Sequence, residues 1–268
     1  MDYKLITLKV IDLAKIAGTF ILEQRKQFTA DRIEIKGKQD FVSYVDKETE
    51  KMLVYGLRTI IPGSGFIVEE KTANHSNEEF IWVVDPLDGT TNFIHGITPF
   101  AISIALMQNN KTVVGVIYEL GQKEIFYSWK EAGVYCNEKL VTISKATAIS
   151  DGLISTGFHI NDNSRLEGQL QTVFEIVSNS HGIRRPGSAA TDLAYVAAGR
   201  FDGFFEYGLS PWDVAAGAFL VEQAGGKVSD YSGTQNYLNG REIIAGTPGV
   251  HENLLQLIQK NSNQDVIK

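Results

Sequence analysis

The chain has 268 residues and a mass of 29.6 kDa, is 43% hydrophobic and 21% charged, and carries 25 cationic against 32 anionic side chains, a net charge of −7 with a pI near 5.3. Surface scaling gives that mass roughly 11,600 Å² of exposed surface when folded against about 43,000 Å² unfolded; such a core needs no disulfide or structural metal, and the lack of any Lys/Arg block speaks against a duplex-binding surface. A single cysteine, Cys136, rules out an intramolecular disulfide and fits a reducing, cytoplasmic compartment, no secretory leader is expected, and the apolar stretch 97–107 is interrupted and too short to span a bilayer.

Apolar residues at Leu5, Leu8, Ile11 (or Asp12), Ile16 and Phe20 predict an amphipathic helix over 5–24. A second helix is predicted over 47–61, stopped by Pro62-Gly63-Ser64-Gly65. Strands follow at 66–68, running into Glu69-Glu70, and at 80–84, running into Asp85. Four more at 100–107, 112–118, 124–128 and 133–136 have short polar links and predict an antiparallel meander. The small, polar stretch 144–151 marks a boundary between an N-terminal part, 1–143, and a C-terminal part, 144–268. Beyond it strands at 153–156, 182–184, 202–205 and 242–245 alternate with helices at 165–178, 189–198, 211–223 and 250–260. That alternation predicts a layered α/β arrangement, with a frayed tail after Asn261.

In Val84-Asp85-Pro86-Leu87-Asp88-Gly89-Thr90-Thr91-Asn92-Phe93 an apolar run ends abruptly in a carboxylate. Asp85 is thereby expected at the C-terminal lip of a buried strand that Pro86 keeps from continuing, with Asp88 turned back beside it and Gly89 permitting close backbone approach. Thr90-Thr91-Asn92 reads as the opening of a short helix whose free N–H groups favour an anion. Two carboxylates ahead of such a nest need a cation between them and the anion. By itself the stretch is nearly as compatible with a turn whose Asp side chains cap backbone N–H groups. Glu69-Glu70 follows an apolar strand in the same way, and reads equally as a solvated acidic turn. In Ser210-Pro211-Trp212-Asp213, Ser210 reads as the N-cap and Pro211 as the first helical residue. Asp213 then either complements the helix dipole or joins the other acids. Four acidic side chains converging would suit Mg²⁺, which takes oxygen ligands plus substrate phosphate.

Asp85-Pro86-Leu87-Asp88-Gly89-Thr90-Thr91-Asn92-Phe93 and Pro211-Trp212-Asp213-Val214-Ala215-Ala216-Gly217 resemble the two signature motifs of the inositol monophosphatase family. The resemblance extends, in order and spacing, through Asp40-Phe41-Val42-Ser43-Tyr44-Val45-Asp46, Glu69-Glu70 and Gly187-Ser188-Ala189-Ala190. It implies an α-β-α-β-α sandwich, of the type shared with fructose-1,6-bisphosphatase, and Mg²⁺-dependent hydrolysis of phosphomonoesters. By matching positions it implies that Glu69, Asp85 and the Leu87 carbonyl hold one Mg²⁺ and that Asp85, Asp88 and Asp213 hold a second. Glu69 with waters would hold a weaker third. Asp46 and Thr90 would orient the attacking water, with Glu69 beside them. Gly89 and Thr90 N–H groups would take the phosphate, while Ala189 and Glu206 meet the alcohol, with Asp88 and Asp213 bordering the substrate. Lys36 takes the family's basic position near a mobile loop. In two-metal hydrolysis one ion lowers the pKa of its water and the other stabilises the leaving alkoxide. The departures, Val68 in place of a small residue and Ser43 in place of Thr, touch loop packing rather than chemistry. A homodimer, lithium inhibition and a small-molecule phosphate monoester as partner, with neither nucleic acid nor membrane, complete the implications.

The remaining polar residues have plainer readings. His75, His159 and His251 read as surface residues, His95 as a structural residue near the site mouth, and Cys136 as a small buried hydrophobe. Arg184-Arg185 face either the substrate or a subunit interface. The Thr90-Thr91-Asn92-Phe93 ending and the modest length favour inositol monophosphates over sugar bisphosphates or 3′-phosphoadenosine nucleotides. A catalytically silent phosphate sensor is the alternative of another class; the intact Asp46–Thr90 pair and complete carboxylate set weigh against it.

Overall fold

A computed structural model describes residues 1–26, 33–37, 40–73, 78–158 and 165–262, with the side chains of 33–37 and 40–43 left aside. His75, His159, the Lys36 side chain and the tail from 263 onward lie outside what is described. Helix α1 (Tyr3–Lys26) is followed by the antiparallel pair β1 (Ile33–Gly37) and β2 (Asp40–Ser43), then α2 (Tyr44–Ile60). Seven strands come next: β3 (Gly65–Val68), β4 (Phe80–Asp88), β5 (Ala101–Gln108), β6 (Lys111–Glu119), β7 (Glu124–Trp129), β8 (Val134–Cys136) and β9 (Lys139–Val141), with the short helix α3 (Thr90–Ile94) between β4 and β5. They form one sheet in sequential order, parallel between β3 and β4 and antiparallel thereafter.

The C-terminal part supplies β10 (Leu153–Thr156), α4 (Leu166–Asn179), β11 (Gly182–Arg184), α5 (Ala189–Ala197), β12 (Gly203–Tyr207), α6 (Pro211–Gln223), β13 (Lys227–Ser229), α7 (Tyr237–Gly240), β14 (Glu242–Gly246) and α8 (Pro248–Ser262). Its five strands form a second sheet in the order β11-β10-β12-β14-β13.

Three apolar cores alternate with the two sheets. Val10, Ala14, Leu53 and Leu57 of α1 and α2 meet Trp82 and Val84 on one face of the seven-stranded sheet. On its other face Ile81 and Val83 meet α5 and α6, whose far sides meet Phe204 and Ala245 of the second sheet. Phe205 and Ile244 then pack against Ile176 of α4 and Leu254 of α8. The period-2 alternation of β4 and β12 thus feeds two cores at once, and the layers run α-β-α-β-α. Helix α6 is buried continuously from Val214 to Val221, as expected of a helix held between two sheets and apolar all round.

Several local expectations are corrected. The buried face of α1 is Ile6, Val10, Ile11, Ala14, Ala17 and Ile21, whereas Leu5, Leu8 and Ile16 are exposed; the small Ala residues let the helix lie close to the sheet, and they set the face. Strand β4 continues through Pro86 to Asp88 instead of ending at Asp85. The three-residue strands β9 and β13, too short to show a period, were not foreseen. His251 is buried rather than on the surface, its Nε2 2.8 Å from Ser229 Oγ, because α8 packs against the end of β13. Cys136 is buried on β8 as expected, and burial pushes its thiol pKa up.

Candidate active site

The site is built on an irregularity in β4. Opposite β5, Asp85 faces Ser103 and Asp88 faces Ala101, so three steps on one strand match two on the other. Residues three apart on a regular strand point to opposite faces; the extra residue of a bulge brings Asp85 and Asp88 to the same side. Pro86 lies inside the bulge, where a missing N–H is tolerated, and Leu87 anchors it by burying its side chain. Gly89 then turns the chain with φ 87°, and a Cβ there would come within 2.9 Å of the Pro99 carbonyl and 3.2 Å of that of Gly187. Only glycine fits both demands.

Asp213 arrives from the opposite direction, in the first turn of α6. Ser210 precedes that helix in extended conformation with Pro211 as its first residue, and the Asp213 carboxylate accepts the Ser210 N–H at 2.6 Å. Ser103 Oγ, on the strand beside Asp85, donates to the Trp212 carbonyl at 3.2 Å and ties the helix start to the sheet. Carboxylate oxygens of Asp85, Asp88 and Asp213 consequently all lie within 4.8 Å of one another. Asp85 accepts the Leu87 N–H at 2.9 Å, and Asp88 accepts Ser188 Oγ at 2.6 Å and the Ala190 N–H at 2.8 Å.

Crowding shows in the acidities. Burial, then Glu69, Asp88 and Asp213, drives the Asp85 pKa well above its ordinary value. Burial lifts Asp88 to about 6 against its hydrogen bonds, and burial with the charge of Asp88 lifts Asp213 to about 7. Like charges this close disfavour joint ionisation unless a cation joins them, and an all-oxygen donor set fits a hard divalent ion. Next to the cluster, the buried Asp46 at the start of α2 accepts from Thr90 Oγ1 at 3.2 Å. The Leu87 carbonyl, at 3.0 Å, is a second and slightly nearer acceptor for the same hydroxyl.

The comparisons with known proteins agree with this arrangement. The model of the inositol monophosphatase family matches residues 3–263. The chain belongs to the inositol monophosphatase family. It is 39% identical over 230 residues to the inositol-1-monophosphatase of Mesorhizobium japonicum, covering 85% of this chain and 86% of that protein. It is 38% identical over 251 residues to the Nus factor SuhB of Pseudomonas aeruginosa, covering 92% and 93%. Among solved structures, the extragenic suppressor protein suhB of Bartonella henselae superposes with a TM-score of 0.91 at 35% identity, covering 96% of this chain and 99% of that one. The acidic triad is consistent with the metal site typical of this family.

Other residues expected from the family resemblance lie around the triad. Glu69 follows β3, half-buried and near enough to Asp85 to raise its pKa. Ala189 opens α5 beside Asp88. Glu206 on β12 is raised to about 8 by burial and by Asp213, with Arg185 opposing. His95, which the sequence reads as a structural residue rather than from the resemblance, is exposed just past α3.

Three supporting residues, Glu50, Gly157 and Asp192, were missed in the sequence, and a fourth, Asn92, was read only as part of a helix opening. Glu50, fully buried on α2, accepts the Glu70 and Thr72 N–H groups at 2.7 and 2.9 Å and so fixes the loop that carries Glu69. The Asn92 amide clamps the carbonyls of Pro99 and Pro186 at 2.7 and 2.8 Å. Gly157 leaves room for the Glu206 carboxylate, which any side chain there would strike. Asp192 lies buried on α5 beside Ser155; burial, then Glu206 and Asp88, raises its pKa strongly. An acid at every fourth or so position of a helix is ordinary, so only the through-space neighbours of Glu50 and Asp192 reveal them.

Proposed function

We propose that this chain is a Mg²⁺-dependent phosphomonoesterase that hydrolyses inositol monophosphates to inositol and phosphate. The observation that carries the reading is the convergence of the Asp85, Asp88 and Asp213 oxygens beside the Asp46–Thr90 hydrogen bond. Glu69, Asp85 and the Leu87 carbonyl would hold one ion and Asp85, Asp88 and Asp213 another, and Glu69 with waters would hold a weaker third. Bound Mg²⁺ supplies a nucleophilic water and charge stabilisation at the phosphoryl and leaving oxygens.

The chain's own residues do the rest. Thr90, donating to Asp46, keeps its remaining lone pairs for the water's proton and so orients the attack. Gly89 and Thr90 N–H groups bind the phosphate, and Ala189 and Glu206 border the alcohol. Relatives named inositol-1-monophosphatase and Nus factor SuhB have nearly equal identity to this chain, so identity alone does not choose between them; the acidic cluster supports the hydrolase. A net charge of −7 supports a small phosphate ester over a nucleic-acid backbone as partner. Among the described residues no helix is long and apolar enough to cross a membrane. A cytoplasmic homodimer that is sensitive to lithium completes the proposal.

The test is phosphate release from inositol 1-phosphate, sugar phosphates, sugar bisphosphates and 3′-phosphoadenosine nucleotides, with and without Mg²⁺. Mg²⁺-dependent turnover led by inositol 1-phosphate is expected. Preference for a nucleotide 3′-phosphate, or no metal-stimulated release at all, would overturn it.

A further inference from the structure

The two outer helical layers of the sandwich are opposite in charge. Helices α1 and α2 run antiparallel, with Tyr44 hydrogen-bonded to Gln24 near one end and Leu13 packed on Gly56 further along. A Cβ on Gly56 would come within 2.6 Å of the Leu13 side chain, so glycine lets the helices lie close, side by side along the sheet. Together they carry eight cationic side chains against five acidic ones, and two of those acids, Asp46 and Glu50, are buried. Of the 25 cationic and 32 acidic side chains in the chain, that leaves 17 and 27 for everything else. On the opposite outer layer α4 and α8 carry one lysine against three glutamates.

The α1–α2 layer also exposes large apolar side chains, Leu5, Leu8, Ile16 and Tyr55, the last 77% exposed. Helix α4 exposes Leu170, Phe174 and Val177, so apolar exposure does not distinguish the two layers; charge does. Lys51 pairs with Glu48 at 2.7 Å, and Lys4 and Arg58 lie over the Trp129 and Phe66 rings. Lys9 and Lys15 have no acidic partner among the described residues. Lys4, Lys9 and Lys15 are five and six residues apart, so they fan around α1 instead of forming the single row that tracks a nucleic-acid backbone.

Two helices side by side on a sheet present a broad, nearly flat face, and cations scattered among aliphatic side chains and a tyrosine suit a flat anionic partner. Lysine stems lie along apolar surface while their charges reach outward, and an amphipathic face of this kind binds at the boundary between headgroups and acyl chains. The net charge of −7 does not cancel that attraction. At physiological salt, charges more than ~8 Å away are largely screened, and the acidic α4–α8 layer lies several layers off at about 10 Å per layer.

We propose that the outer α1–α2 face docks peripherally on anionic phospholipid, with Lys9 and Lys15 meeting headgroup phosphates and Leu8, Ile16 and Tyr55 seated among the headgroups. Among the described residues no helix is long and apolar enough to cross a membrane, so the association is reversible and salt-sensitive. The expectation of no membrane partner concerned a spanning segment and does not bear on a peripheral face. The acidic cluster sits where α2, α3 and α6 begin, at one end of the layers rather than on this face, and docking does not depend on the reaction catalysed there.

The test is co-sedimentation of the full chain, with Mg²⁺ present, with vesicles of phosphatidylcholine alone and of equimolar phosphatidylcholine and phosphatidylglycerol. Binding should require the anionic lipid and should be lost as salt rises from about 0.01 M to about 1 M. Lys9→Glu/Lys15→Glu should weaken it at least ~tenfold, and Leu8→Ser/Ile16→Ser several-fold. Lys145→Glu/Lys227→Glu, an equal change of net charge outside the layer, should bind as wild type does. All variants should keep the wild-type melting temperature and turnover of a soluble ester. Failure to bind the anionic vesicles, equal binding to phosphatidylcholine alone, or equal losses in the layer and control variants would each overturn the proposal. Saturable binding of polyuridylate RNA without vesicle binding would assign the face to a nucleic acid instead, and a layer variant that alters the oligomeric mass would assign it to a second copy of this chain. Each of these results leaves the proposed hydrolysis untouched, because vesicle binding and phosphate release are read separately.

Discussion

Among the described residues two sets of carboxylates, one satisfied and one crowded, separate structure from chemistry. Glu50 and Glu119 are both 0% exposed, and each uses its two oxygens to accept two N–H groups of a nearby turn: Glu70 and Thr72 for Glu50, Gly121 and Gln122 for Glu119. Asp85, Asp88 and Asp213 also accept local donors, yet turn oxygens toward one another within 4.8 Å. A satisfied acid holds a turn. Crowded acids raise each other's pKa, and they persist where a cation relieves them. Asp85 is almost as deeply buried as Glu50 and Glu119, so it is the partners that differ.

The largest effect should come from removing a crowded acid. Asp213→Asn and Asp88→Asn should each reduce Mg²⁺-dependent phosphate release at least ~10³-fold, the scale of losing metal-based charge stabilisation. The metal-free fold should survive or gain, since each change removes like-charge repulsion. Activity assays with thermal melts in excess chelator check both halves. Normal turnover in both variants would end the metal-cluster interpretation.

The satisfied acids sharpen the contrast further. Glu50→Ala and Glu119→Ala each leave two buried N–H groups without an acceptor, and each should cost about 3 kcal/mol of stability. Their functional consequences should differ, because only the Glu50 turn carries Glu69 toward Asp85. Glu50→Ala should need several-fold more Mg²⁺ for half-maximal activity, while Glu119→Ala keeps the wild-type Mg²⁺ requirement. Equal Mg²⁺ curves would show that Glu69 does not depend on Glu50.

This contrast also explains what could be read in advance. Asp85, Asp88, Thr90 and Asp213 were legible because unusual local chemistry surrounds them: a proline within a strand end, a glycine turn, a Ser-Pro helix start. The bulge that places Asp85 and Asp88 on one side was not legible, since it depends on pairing with β5. The apolar spacing of α1 suggested the wrong face, because Leu5, Leu8 and Ile16 are larger than the Ala14 and Ala17 that face the sheet. His251 looked polar and is buried, its only described side-chain partner lying 22 residues away in Ser229. Local signals follow the chain; burial and pairing across it do not.

A graded effect follows from titration. Asp88, Asp213 and Glu206 have folded pKa values of about 6, 7 and 8, above ordinary values of 3.8, 3.8 and 4.5, and Asp85 and Asp192 are also raised. In the metal-free protein a raised carboxylate pKa gives stability that is complete below the unfolded pKa and is lost as pH rises through the folded one. Each such group still protonated in the folded state contributes a slope of about −1.4 kcal/mol per pH unit. His251 acts in the opposite sense. Burial lowers its pKa to about 4, so it gives stability above its ordinary 6.5 that is lost as pH falls toward 4. The two effects oppose each other below 6.5, and between 6.5 and about 8 the carboxylates should dominate. Thermal melts in excess chelator should therefore fall across that window. Added Mg²⁺ should stabilise more at the upper end than the lower, because binding there displaces fewer protons. A melting temperature that rises with pH without metal would mean that the acids are already paired with something other than one another.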